Sequence, residues 1–132
     1  MIRRNCFLSA VLPLMVSMTA TAAEPWIVST ESQKKIKNPV SKSQVSAAAL
    51  RGKVVYDKEC ASCHGEAGKG DGPDGLYFKV RPSDLTAKAI RSQSAEVLFV
   101  KVTSGRTDMP GFENSLTEPA RWDVVHYIQT LQ

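Results

Sequence analysis

Among the 132 residues, Cys60-Ala61-Ser62-Cys63-His64 places two thiols and an imidazole in one short run. This C-x-x-C-H order is the attachment signature of a c-type haem. The two thiols add across the porphyrin's vinyl groups as thioethers, and the adjacent histidine is held beneath the iron. Covalent attachment lets a small domain keep its cofactor outside the cytoplasm. Other readings of paired cysteines fit less well. A C-x-x-C redox disulfide usually opens a helix after a strand, whereas this run closes a helical stretch and precedes a glycine-rich one. A zinc site needs further ligands. The second histidine, His126, stands far along the chain, at a helical position that suits the surface.

The residues ahead of the motif divide in two. Arg3 and Arg4, the apolar run Phe7 to Met18 and the small residues Ala20-Thr21-Ala22 have the form of a cleaved export signal. The run is about a dozen residues, short of the roughly 20 that span a bilayer. Residues 1–22 are therefore expected to be a signal peptide, cut after Ala22 or Ala23. That leaves no transmembrane span in the mature chain and places it in the periplasm. Cys6 would leave with the signal. Residues 23–46 are expected to be an extended N-terminal segment, polar and without packed structure of its own. Trp26, Ile27, Val28 and Val40 could tether it to the domain or to a partner. Residues 47–132 form the expected single domain.

The whole chain carries 17 Lys and Arg against 13 Asp and Glu. Without Arg3 and Arg4 the balance is fifteen against thirteen, and two haem propionates would bring it near zero. This is not the dense basic patch of a nucleic-acid binder. The one local cluster, Lys34, Lys35 and Lys37, reads as a solvated stretch.

Helical signals dominate from Ser46 onward. Ser46 can cap, and Ala47-Ala48-Ala49-Leu50-Arg51 are strong helix formers, so a helix is expected over roughly 46–60. Gly52 interrupts it, which usually marks a close helix contact. The glycines from Gly65 to Gly75 make a loop. Ser94 caps a helix running to about Ser104, which Gly105 stops. Thr117 caps a last helix, with Pro119 in its first turn and Trp122, Val125 and Ile128 on one face. No strand pattern appears, so the fold class is all-α.

Iron in an electron carrier needs two axial ligands. His64 is the first, and its Nδ1–H should donate to a backbone carbonyl, with Pro82 the candidate. Met109 is the only methionine left once the signal is gone. Pro110 keeps it out of a helix, on a loop that can reach the iron, and a methionine before proline in a polar loop is a poor core filler. His126 is the rival distal ligand.

The motif, with Gly52, Tyr56 and Cys60 on the first helix and Val124 and Tyr127 on the last, resembles the class I cytochromes c over residues 47–132. The run Cys-Ala-Ser-Cys-His-Gly-Glu-Ala-Gly-Lys-Gly-Asp-Gly-Pro and the later Met-Pro-Gly-Phe look like small bacterial periplasmic members. The resemblance implies a cytochrome c fold, three to four helices around one covalent haem c, with the first and last helices crossing at the glycine and with histidine and methionine as axial ligands. Leu85, Phe78, Val97, Val100, Phe112, Trp122 and Tyr127 are the candidate haem walls.

The expected function is single-electron transfer by Cys60, Cys63, His64 and Met109 around one haem iron. The chain would itself be no enzyme. Its partners would be redox proteins such as a periplasmic dehydrogenase, a reductase or a membrane oxidase. Thioether sulfur favours Fe(II), so this ligand pair raises the potential relative to two histidines. The alternative is a haem enzyme or gas sensor in which Met109 dissociates, with Arg106 and Asp108 nearby.

Overall fold

The computed structural model describes residues 25–132; the expected signal peptide lies outside them. In chain order the helices are α1 (Thr30–Lys35), α2 (Val45–Glu59), α3 (Ala61–His64), α4 (Lys88–Arg91), α5 (Ala95–Ser104) and α6 (Glu118–Ile128). Short 3-10 turns occupy Lys42–Gln44 and Pro73–Tyr77. The fold is all-α as expected. Three long helices, α2, α5 and α6, carry the architecture, and the short ones raise the total above the expected three to four.

The caps explain two boundaries. Ser94 Oγ accepts from Val97 N at 3.3 Å, and Thr117 Oγ1 accepts from Ala120 N at 3.4 Å, with Pro119 in the first turn. Ser46 does not cap α2. The preceding 3-10 turn feeds directly into the helix, so Ser46 falls within its first turn.

Helices α2 and α6 meet at Gly52. A Cβ there would stand 1.9 Å from the Asp123 carbonyl oxygen, so only glycine lets the two backbones touch. Arg51 braces the same crossing with two bonds to the Asp123 carboxylate, 2.8 and 2.7 Å. One turn further along α2, fully buried Tyr56 packs on Tyr127 of α6, ring centroids 5.1 Å apart. On the other side of α6, Trp122 stacks on Phe99 of α5 at 4.1 Å. Buried α5 residues Ala95, Leu98, Phe99 and Val102 follow the i, i+3, i+4, i+7 stripe.

The N-terminal segment departs from expectation. Ser29 caps α1, Gln33 Nε2 donates to the Val28 carbonyl at 2.8 Å, and Val28 is buried. Ile36 and Val40 pack against the core, although Ile36 drew no notice in the sequence. Val28 and Val40 thus tether the segment to the domain, as their apolar character allowed, while Ile27 stays exposed. Lys35 reaches only Glu31, and both are exposed.

His126 also departs from expectation. It is buried, not at the surface, because α6 is enclosed by α2, α5 and this segment. Asn38 Nδ2 lies 3.3 Å from its Nε2. Burial holds its imidazolium below the ordinary histidine value, opposed by Asp123 and Glu96.

Two outcomes follow from these contacts. Helix propensity alone would make Gly52→Ala stabilising by about 1 kcal/mol. The clash with the Asp123 carbonyl reverses the sign, and denaturant unfolding of the haem-loaded protein should show a loss of about 2 kcal/mol or more. Protonation of His126 is favoured in the unfolded chain over the folded one. Stability should therefore hold above about pH 6.5 and fall as pH drops below it, by at most about 1.4 kcal/mol per pH unit. His126→Gln should flatten that slope in urea titrations across the same interval.

Candidate haem site

After Glu59 the backbone breaks at Cys60 and resumes as the single turn α3, which carries Cys63 and His64 at its end. The glycine-rich loop then returns to satisfy the carbonyls this turn leaves open. Gly70 N donates to the His64 carbonyl at 2.8 Å and Gly72 N to the Cys63 carbonyl at 3.2 Å. The Tyr56 hydroxyl donates to the Gly65 carbonyl at 2.7 Å. The haem-attachment run is thereby locked to both α2 and the loop.

His64 Nδ1 lies 3.1 Å from the Ser83 carbonyl oxygen. The acceptor is Ser83, not the expected Pro82, whose carbonyl turns to Gly70 instead. A Cβ on Gly70 would stand 2.2 Å from the Pro82 oxygen, and Gly70 has φ +75°. With Nδ1–H donating, Nε2 is the unprotonated nitrogen able to bind a metal. Burial pushes the imidazolium below its usual value, against the Ser83 carbonyl, which favours the neutral ligand form. No disulfide joins Cys60 and Cys63, so both sulfurs are available for thioether attachment.

Met109 comes from a separate place in the fold. Its N–H donates to the Arg106 carbonyl at 3.0 Å, and Arg106 N–H donates to the Met109 carbonyl at 2.9 Å. Thr107 at the tip has φ +55°, a strained choice for a β-branched residue. Beyond Pro110 the chain is tied to α5: Phe112 N donates to the Val102 carbonyl at 3.0 Å and Glu113 N to that of Thr103 at 3.2 Å. Met109 is half-buried and packs against the core. His126, the rival ligand, is engaged with Asn38 beside Trp122.

Arg121 was missed as a functional support. It is buried, and its Nη1 lies within donating distance of the carbonyls of Phe112, Glu113 and Leu116, at 3.3, 2.9 and 3.1 Å. Its place, three and four residues before Val124 and Val125, was the available signal. Of the candidate walls, Leu85, Phe112 and Trp122 are buried and Tyr127 half-buried against Tyr56. Phe78, which follows the Pro73–Tyr77 turn, and Val97 and Val100 of α5 are half-buried.

Residues 47–128 match the family described as cytochrome C oxidase, cbb3-type, subunit III. The chain belongs to this family. It is a class I c-type cytochrome, and membership implies covalently bound haem c with iron. Over 91 residues the cytochrome is 31% identical to the cbb3-type cytochrome c oxidase subunit CcoP of Azospirillum brasilense, covering 68% of this chain and 30% of that protein. It also resembles a chain of the reducing HAO-like protein complex of Kuenenia stuttgartiensis, with a TM-score of 0.60 and 30% identity over 73% of this chain and 49% of that one. The cytochrome thus spans about a third to a half of the lengths of these relatives. Among the described residues, no helix is long and apolar enough to cross a membrane.

The donor set fits the implied group. Among the described residues, no cluster of three or more His, Cys, Asp and Glu side chains is disposed to hold a bare metal ion. His64 offers a single imidazole nitrogen, which suits an iron whose in-plane ligands a macrocycle would supply. Cys60 and Cys63 would hold that macrocycle, and His64, oriented by Ser83, would hold its iron.

Gly70→Ala should push the Pro82–Ser83 carbonyls away from the loop and loosen His64. The left-handed φ and the clash together should cost about 2 kcal/mol or more. Denaturant unfolding of the haem-loaded protein, followed at the Soret band, measures this loss.

Proposed function

We propose that this cytochrome is a single-haem carrier of electrons, exported to the periplasm, with His64 and Met109 as axial ligands to its iron. The supporting observation is a matched pair of mounts. His64 has its ring turned by the Ser83 carbonyl so that Nε2 is the free nitrogen. Met109, the only methionine among the described residues, is held half-buried in a tight hairpin packed on the core of α2, α5 and α6. When bound, the haem supplies an iron that cycles between ferrous and ferric states.

The chain's own residues keep both ligands in place during that cycle. With His64 and Met109 both held, neither side chain would have to move as an electron arrives or leaves, and neither would vacate a place for a substrate, which favours a carrier over an enzyme. Its partners are redox proteins that touch it briefly. Oxidase subunits and multi-protein complexes among its relatives support that class of partner. A gas sensor would need a mobile Met109, whereas the reciprocal bonds to Arg106 and the ties to α5 hold the hairpin at both ends.

Met109→Ala tests the ligand pair. The ferric protein should lose its far-red sulfur-to-iron band, and the reduction potential should fall by on the order of 0.1–0.3 V. An unchanged band and potential would remove methionine from the site.

A further inference from the structure

Trp26 lies outside residues 47–128, the part of the chain shared with the family. It is nevertheless placed against the Met109 hairpin. Lys101 Nζ of α5 stands 5.4 Å from the centre of its ring, and Arg106 Cζ stands 5.9 Å from the same centre. Arg106 is the hairpin residue whose backbone pairs with Met109 in both directions. Two cations therefore share one indole, one from the helix and one from the hairpin.

Physical chemistry gives this arrangement a direction. Lys101 and Arg106 repel each other, and both burial and Arg106 push the Lys101 ammonium below its ordinary value. Among aromatic rings, the negative face of an indole attracts cations most strongly and so eases such repulsion. Thr107 adopts a left-handed conformation that a β-branched residue disfavours, so contacts at the hairpin's base add to the backbone bonds that hold it. Trp26 is itself anchored two residues on by buried Val28, which α1 holds through the Gln33 bond to its carbonyl. The N-terminal segment therefore forms a strap running from α1 to the base of the hairpin.

We infer that Trp26 is a positioning residue for the distal ligand: by gathering Arg106 and Lys101 on its ring, it holds the Met109 hairpin closed. This rests on Met109 being the distal ligand. The N-terminal segment, expected to lack packed structure, would thus set how often the thioether leaves the iron. It would do so without touching the cofactor.

The test uses the purified haem-loaded ferric protein and cyanide, whose binding requires Met109 to swing away. Measurements are made well below the melting temperature of every variant, so a general loss of stability does not move the rate. Trp26→Leu keeps bulk but removes the ring's charge distribution, and should speed cyanide binding roughly tenfold. Trp26→Tyr should stay within about twofold of the parent. Arg106→Gln, which unlinks the hairpin while leaving Trp26 on Lys101, should also speed binding. Amide exchange at Met109 should rise with the cyanide rate. Equal rates for Trp26→Leu, Trp26→Tyr and the parent would overturn the inference, as would a fast Trp26→Leu protein with unchanged Met109 exchange. Met109→Ala separates the two readings. If it leaves the far-red band intact, the ligand assignment fails; if the band goes but Trp26→Leu binds cyanide at the parent rate, only the strap fails.

Discussion

At Gly52 the backbone of α2 rests on the Asp123 carbonyl of α6, and the positions of the haem-binding residues are measured from that contact. One turn beyond it Tyr56 locks against Tyr127, and one turn beyond that stands Cys60. A wider crossing would carry the thiols away from the core. The Arg51–Asp123 pair spans the same joint, but Arg51 is 62% exposed, so its charge contributes little compared with the close approach that glycine permits. Shape, more than electrostatics, fixes where the attachment run lies.

The proximal side is built largely from backbone polar groups. Loop N–H groups satisfy the carbonyls of Cys63 and His64, Tyr56 satisfies that of Gly65, and the Ser83 carbonyl orients the imidazole. Such a mount has few rotatable side chains, so a histidine bound to iron keeps one tautomer and one ring direction. The same loop must turn sharply enough to bring Gly70 against Pro82, which explains its richness in glycine.

The distal side is organised differently. Met109 hangs on a two-residue turn whose tip is strained, and side chains far apart in sequence supplement its backbone bonds. Buried Arg121 gathers carbonyls of the returning chain, and Trp26 gathers the cation at the hairpin's base. His64 is thus held by a backbone carbonyl of a tight loop, whereas Met109 is held on a short hairpin. That hairpin lies where residues outside the shared cytochrome domain can act on it.

The attachment run, the all-α class, the capped α5 and α6, and the role of Gly52 were legible in the sequence, because each depends on local spacing or on one residue's steric limits. Met109 stood out through its rarity and its following proline. Contacts between distant segments were not legible. The acceptor for His64 moved by one residue, from Pro82 to Ser83, since only the folded loop shows which carbonyl faces Gly70. His126 and Arg121 are polar residues whose burial depends on how many neighbours surround α6, which no single-helix period reports. The N-terminal segment, polar and aperiodic, acquired its helix and its buried Val28 only against a finished surface. Local spacing thus determined the cytochrome family and the expected thiols and imidazole. Tertiary packing decided how the ligands are aimed, because aim depends on backbone carbonyls and cations brought together from separate stretches of chain.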